Sequence, residues 1–369
     1  MNKKDFQLFI QPHILKLEPY KGVEPPEILA QKAGITPENI LKLDANENPY
    51  GPSPKVIDSL QDSSKFNVYP DPLQRVIRKA LAAYTGLNES QVVAGAGADE
   101  IIELLVRLFV GPGDKVVHFP PTFGMYEVAT RLSQGQIISV ARDENFNINI
   151  EQTKSNVDAN TKLIFLANPN NPTGTLTSEK SIRSLLDLGV MIAIDETYHE
   201  FCGTTAANLL TEYENLIIIR SFSKWAGLAG LRIGYGLMSP ELAKYLFTIK
   251  SPYNVSVAAE TAMLASLEDM DLLLQRVRDL VEERERMVAS LRGISGIYCF
   301  PSKGNFLLCQ FPANMTEIVY SRLASRGIFV RKFTHPQTKN CLRISVGKDY
   351  QNDAVVDAIS SIMGVEVDE

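Results

Sequence analysis

Leu216-Ile217-Ile218-Ile219-Arg220, followed at once by Ser221-Phe222-Ser223-Lys224 and then by Trp225-Ala226-Gly227-Leu228-Ala229-Gly230-Leu231-Arg232, is the stretch on which the fold of this chain turns. Its first five residues form a short run rich in β-branched side chains, which predicts a buried parallel strand. The small residues after Lys224 let backbone pack closely or approach a ligand. A lysine delivered at the end of a buried strand sits at the rim of an α/β sheet, where such folds place ligands. Two hydroxyls just before it and an arginine after it add partners suited to an anion. By itself Lys224 has an ordinary explanation, a surface lysine in a strand-to-helix loop.

Outward from that stretch, further apolar runs stand at 91–95, 115–119, 136–140, 163–166, 191–194 and 233–237, with helical patterns such as 178–188 between them. The alternation predicts an α/β large domain, a mainly parallel seven-stranded sheet flanked by helices on both faces. From Pro252 to about Arg292 the pattern turns helical with no Gly or Pro inside, which predicts one long connecting helix. Beyond it, short strands near 297–300, 305–310, 328–331 and 341–345, with helices near 315–325 and 349–363, predict a smaller α+β domain. Pro12, Pro19, Pro25, Pro26 and Pro37 break up the N-terminal part, leaving one short helix from Pro26 to Ala33. The expected division is an arm over 1–45 that joins the small domain, a large domain over 46–265 and the small domain over 266–369.

Composition narrows the function. With 369 residues, 45% hydrophobic, 22% charged and a net charge of −6, the chain is an ordinary globular one. Its charges are interspersed with no basic stripe, which argues against nucleic acid and against a basic membrane anchor. No apolar run approaches the roughly 18 residues of a membrane span. The first residues, Met1-Asn2-Lys3-Lys4-Asp5-Phe6-Gln7, lack the apolar core of a secretory signal. Cys202, Cys299, Cys309 and Cys341 form no Cys-x-x-Cys pair and the four histidines are scattered, so neither a metal site nor a disulfide scaffold is expected. These features predict a cytoplasmic protein.

Four further segments carry chemistry. Pro120-Pro121-Thr122-Phe123-Gly124-Met125-Tyr126 follows a strand, and Phe123 there can stack on a flat heteroaromatic ring or simply pack in the core. Ala167-Asn168-Pro169-Asn170-Asn171-Pro172-Thr173-Gly174 ends another strand in turn formers, and the Asn171 amide can donate to a ligand oxygen. Met191-Ile192-Ala193-Ile194-Asp195-Glu196-Thr197-Tyr198 puts a carboxylate where an apolar strand ends, a place that calls for a cationic partner or strong donors. Gly97-Ala98-Asp99 opens an amphipathic helix whose free amides suit a phosphate. Gly95-Ala96-Gly97 also fits the start of a dinucleotide-binding turn, although Glu100 stands where its third glycine belongs.

The order of these segments, Asn171-Pro172-Thr173-Gly174, Asp195-Glu196-Thr197-Tyr198, Ser221-Phe222-Ser223-Lys224 and Gly230-Leu231-Arg232, resembles the fold-type I pyridoxal-phosphate aminotransferases, over nearly the whole chain. The resemblance implies pyridoxal 5′-phosphate as cofactor. Lys224 would be the catalytic amine that joins the cofactor's aldehyde carbon and, once released, moves a proton between the substrate Cα and the cofactor's C4′. Asp195 would pair with the pyridine nitrogen, Asn171 and Tyr198 would bind the phenolic oxygen, and Phe123 would stack on the ring. The amides of Ala98 and Asp99, the hydroxyls of Ser221 and Ser223, and Arg232 would hold the phosphate. Tyr69 matches the family tyrosine that reaches the neighbouring subunit's phosphate, which implies a homodimer. The cis or trans state of Asn171–Pro172 is not legible at this level.

Within that family the histidinol-phosphate aminotransferase branch is the most similar. The segments that carry the likeness are Leu17-Glu18-Pro19-Tyr20, the stretch from Asp44 to Pro54, Pro121 to Tyr126, Ile328-Phe329-Val330-Arg331 and Leu342-Arg343-Ile344-Ser345-Val346-Gly347. That likeness implies transamination between histidinol phosphate and 2-oxoglutarate, giving imidazole acetol phosphate and glutamate in histidine biosynthesis. Two arginines, Arg331 and Arg343, suit a dianionic phosphate, for which arginine is favoured as a bidentate donor. Arg343 would take a carboxylate or the phosphate in turn, Tyr20 and Arg331 would add to the phosphate, and Asn48 would stand close by. An aromatic amino acid aminotransferase and a phosphothreonine-type decarboxylase share the same cofactor motifs. From another class, an NAD-dependent dehydrogenase would rest on Gly95-Ala96-Gly97 and predicts an inert Lys224.

Overall fold

The protein is described by a computed structural model covering residues 6–20 and 22–364, so the extreme ends of the expected arm and small domain lie outside the described residues. Seven strands form one sheet in the order β2-β8-β7-β6-β5-β3-β4: β2 Val92–Gly95, β3 Lys115–His118, β4 Gln136–Ser139, β5 Thr161–Ala167, β6 Met191–Asp195, β7 Leu216–Ser221 and β8 Gly234–Leu237. The run from β7 through β6, β5 and β3 to β4 is parallel, and β8 lies antiparallel to both of its neighbours. The central strands are apolar on both faces because helices cover both; Ile217, Ile218 and Ile219 are fully buried. One face packs under Ile101, Leu105 and Tyr126, and the other under Ile182, Leu185 and Trp225.

The dinucleotide reading of Gly95-Ala96-Gly97 fails on this topology. Its strand, β2, is the outermost of the sheet and pairs only with the antiparallel β8, so no parallel βαβ unit surrounds the turn.

The second sheet has the order β1-β11-β12-β10-β9, with β1 Leu41–Leu43, β9 Tyr298–Cys299, β10 Phe306–Gln310, β11 Ile328–Lys332 and β12 Cys341–Ser345. Strand β1 pairs in parallel with β11, so the N-terminal segment adds an edge to this sheet before the chain enters the larger one. The helix Pro26–Ala33 is present, stopped by Gly34 in the left-handed region at φ 69°. The expected single connecting helix is in fact two, Val257–Glu268 and Met270–Arg292, separated at Asp269. Asp269 has φ −111° and ψ 29° and closes the first helix through its own amide. Aspartate favours such caps over helix interiors, and a window scored on Gly and Pro alone passes over it. The expected domain boundary at 265/266 falls within the last turn of the first of these helices.

Candidate active site

The three central strands stop in step. Ala167 of β5 stands beside Asp195 of β6, and Asp195 beside Ile219 of β7, so the polar residues that follow each strand emerge at one edge. There they line a cavity of about 370 Å³, within the size range of small-ligand sites. Helix Ala98–Phe109 and the loop through Phe123 close its sides, and Arg331 and Arg343 enter from the second sheet.

The inner wall is buried and mutually aimed. Asp195 accepts from the Tyr126 hydroxyl at 2.7 Å and from the Thr197 amide at 3.0 Å. Burial pushes its carboxyl above the usual range, so a cation placed against it is strongly favoured. Tyr198 accepts at its hydroxyl from the Asn46 side-chain amide at 2.9 Å. Asn46 is itself fixed: its own amide donates to Ser345 Oγ at 2.8 Å, and its Oδ1 accepts from that hydroxyl at 3.0 Å. The three asparagines of the loop after β5 divide the work. Asn168 accepts from the Thr177 amide, and Asn170 donates to the Pro121 carbonyl and Thr173 and accepts from Thr122. Those two staple the loop, and the third, Asn171, faces the cavity. The Asn168–Pro169 and Asn171–Pro172 peptides are both cis.

At the far end, Ser221 Oγ donates to Ser223 Oγ at 2.9 Å, and Arg232 pairs with Asp99 at 2.8 Å over the start of helix Ala98–Phe109. Gly97 precedes that helix at φ 86°, and a Cβ there would land on the Arg232 guanidinium. The absent side chain thus leaves a cradle between the arginine and the helix N-terminus, which fits a phosphate. One expected donor is already taken, since the Gly97 amide donates to the Gly95 carbonyl at 2.8 Å.

Lys224 is half-buried in the cavity wall and donates to the Ala45 carbonyl at 2.9 Å. Burial lowers its pKa to about 8, with Arg343 as the next cause, so about a tenth of the amine is neutral at pH 7. Arg343 donates to Asn171 Oδ1 and to the Asp44 carbonyl, each at 2.6 Å, and its buried Nε has no partner. Because Asn171 Oδ1 accepts from this arginine, its Nδ2 is the end left to donate. Arg331 stands directly opposite Arg343 across β11 and β12, a register that sends both side chains to the same face of the sheet.

Of the expected residues, Lys224, Asp195, Asn171, Tyr198, Phe123, Ala98, Asp99, Ser221, Ser223, Arg232, Tyr20, Arg331 and Arg343 all line this cavity. Two stand elsewhere. Asn48 is set beneath the lysine, donating to the carbonyls of Lys224 and Trp225 and accepting from the Tyr50 amide. With its side-chain amide used inside the chain, it shapes the lysine loop. Tyr69 is 77% exposed and stacks on Tyr253 at 4.4 Å between centroids. The sequence reading passed over Asn46 and Tyr126. Asn46 lies inside the stretch from Asp44 to Pro54 that carries the family likeness, and its φ of 54° is a conformation asparagine tolerates better than most residues. Tyr126 lies three residues beyond Phe123, in the first turn of helix Met125–Leu132, and both line the cavity.

A cofactor with a phosphate, a ring cation, a phenolic oxygen and an aldehyde finds a matching group at every point of this site. The family model for "Aminotransferase class I and II" matches residues 38–359. A protein of Roseiflexus castenholzii named histidinol-phosphate aminotransferase is 45% identical over 362 residues, covering 96% of this chain and 98% of its own. A chloroplastic protein of the same name from Nicotiana tabacum is 41% identical, covering 94% and 85%. The crystal structure of histidinol-phosphate aminotransferase from Sinorhizobium meliloti in complex with pyridoxal-5′-phosphate superposes with a TM-score of 0.88 at 27% identity, covering 96% of this chain and 97% of that one. On its sheet order, its cavity and these likenesses, the chain belongs to the class I and II aminotransferases, enzymes that work with pyridoxal phosphate.

Proposed function

We propose that this chain transfers the amino group between histidinol phosphate and 2-oxoglutarate, giving imidazole acetol phosphate and glutamate in histidine biosynthesis. The observation that carries the substrate is the convergence of Arg331 and Arg343 on one cavity from facing positions of β11 and β12. Two guanidiniums on one side suit a phosphate dianion, and one of them suits the α-carboxylate of glutamate, so both substrates use one site. Pyridoxal phosphate, when bound, supplies a ring that takes up the electron pair left as the substrate's Cα proton departs. The chain's own residues do the rest. Asp195 keeps a positive charge on the ring nitrogen, and Asn171 with Tyr198 orients the phenolic oxygen. Phe123 covers one ring face. Ser221, Ser223, Arg232 and the Ala98 and Asp99 amides hold the phosphate. The Lys224 amine, partly neutral near pH 8, takes the Cα proton and returns it at C4′.

The functional unit we propose is a homodimer, in which the exposed Tyr69 reaches the neighbouring subunit's phosphate site; sedimentation should give twice the chain mass of 40.9 kDa. No helix of the described residues is long and apolar enough to cross a membrane. The four free cysteines suit a reducing compartment such as the cytoplasm. Protein loaded with pyridoxal phosphate and mixed with histidinol phosphate tests the substrate directly. Rapid conversion of the cofactor to its amine form, seen by absorbance and much faster than with phenylalanine, is expected. Conversion by phenylalanine or tyrosine alone would hand the reaction to an aromatic substrate.

A further inference from the structure

Asp195 is buried, and its aim depends on two residues of the chain. One is Thr197, two residues along the same loop, through its amide and its side chain; the other is Tyr126, whose hydroxyl is 69 residues away in sequence and only 2.7 Å away in space. Tyr126 is held firmly. It is fully buried, stacks on Phe165 at 4.7 Å with an interplanar angle of 6°, and meets Phe123 edge-on at 5.7 Å. It therefore touches both the residue that covers the cofactor ring and the carboxylate that faces the ring nitrogen. Burial raises its pKa well above that of a free phenol, so the hydroxyl is a permanent donor.

Behind it lies Arg142, 3% exposed, whose Nε donates to the Phe119 carbonyl at 3.0 Å and Nη1 to the Phe146 carbonyl at 2.9 Å. Its buried Nη2 has no partner, and the guanidinium interacts electrostatically with the Tyr126 phenol. The Asp143 carboxylate also interacts with this guanidinium, which makes no ion pair within 4.0 Å among the described residues.

We propose that Tyr126 is a positioning residue for the cofactor's ring nitrogen: its hydroxyl fixes the direction of Asp195 Oδ2. The inference rests on the cofactor reading above and adds a residue to it. Without the hydroxyl, Oδ2 keeps its burial and loses its donor, and the carboxylate gains freedom to rotate out of line with the ring. Tyr126→Phe keeps the stack on Phe165 and removes only the oxygen.

The test is the dissociation constant for pyridoxal 5′-phosphate and for its 1-deaza analogue, which lacks the ring nitrogen, in the wild type and in Tyr126→Phe. A hydrogen bond to a charged group supports an expected weakening of about tenfold for pyridoxal phosphate. The analogue should bind the two proteins within about twofold of each other, because it offers Asp195 no cation; this pairing isolates the coupling. Equal losses for both ligands would mean that Tyr126 only shapes the pocket, and no loss for either would mean that Thr197 alone aims Asp195; each overturns the proposal. Wild-type protein that binds no pyridoxal phosphate would overturn the cofactor reading itself, and this inference with it.

Discussion

The inner wall of the cavity and its outer rim are built on opposite principles. At the wall, Asp195, Tyr126, Tyr198 and Asn46 are all buried, and each polar atom is aimed by another at 2.7 to 3.0 Å. At the rim, the Arg232–Asp99 pair has side chains 47% and 38% exposed, and Tyr20 is 49% exposed. A buried, pre-aimed group keeps its geometry before any ligand arrives and works in a medium that screens little. An exposed pair is hydrated and screened, so it contributes little to stability and can re-pair with an incoming anion. Wall substitutions should therefore act on chemistry, and rim substitutions on capture.

The sharpest break of that contrast lies where the two meet, at Lys224. Lys224→Ala removes the amine proposed to link the cofactor and carry the proton, and turnover should fall by about 10⁴-fold or more. Circular dichroism should show the fold unchanged, since among the described residues the lysine side chain makes a single hydrogen bond, to Ala45. Undiminished transamination would remove the basis for the wall's catalytic assignment.

A smaller effect separates the two arginines. Arg343 is buried against Asn171 and Asp44, whereas Arg331 reaches the cavity from a less buried position and donates to the Gly22 carbonyl at 3.3 Å. Arg343→Lys loses a planar fork that an ammonium cannot reproduce, and kcat/KM should drop about 100-fold for glutamate and histidinol phosphate alike. Arg331→Lys should drop it about tenfold for histidinol phosphate and leave glutamate nearly untouched. Equal losses for both substrates in both variants would erase the distinction between them.

Much of this was legible in the residues, for identifiable reasons. Buried strands ending in polar residues mark the edge where a ligand binds: Asp195 and Ser221 are the last residues of such strands, and Asn171 and Lys224 sit in the loops just past them. Asn46 was not legible in that way, because its role comes from Ser345, 299 residues away, through contacts that only the folded second sheet supplies. Asn48 misled for the reverse reason. A polar side chain in a cavity-lining segment looks available, and only coordinates show its amide already committed to Lys224 and Trp225. The break at Asp269 was missed because no Gly or Pro announces it.

The pH dependence sharpens the comparison further. An amine must be neutral to attack an aldehyde, and the Lys224 pKa of about 8 sits well below that of a free lysine. The rate at which cofactor-free protein captures pyridoxal phosphate, followed by stopped-flow absorbance, should rise about tenfold per pH unit below 8 and level off above it. Arg343 lowers this pKa, so Arg343→Met should move the bend to higher pH. A bend unmoved by that change would remove Arg343 as a cause and leave burial as the main one.

The smallest expected effect is on stability. The Lys224 pKa is about 8 in the folded chain against 10.5 for the model amine. Between those values the unfolded chain binds more protons than the folded one, so this group's contribution to stability rises with pH across that window. Below about pH 8 the full penalty of burying the ammonium beside Arg343 is present; above 10.5 it is gone. Lys224→Met keeps the length of the side chain and removes the charge. It should stabilise the cofactor-free protein at pH 7 by about 1–2 kcal/mol, a rise of a few degrees in Tm. That advantage should stay level below pH 8 and shrink as the pH climbs toward 10.5. A variant less stable than the wild type at pH 7 would mean that the hydrogen bond to Ala45 outweighs the desolvation, and that the wall tolerates its lysine at no cost.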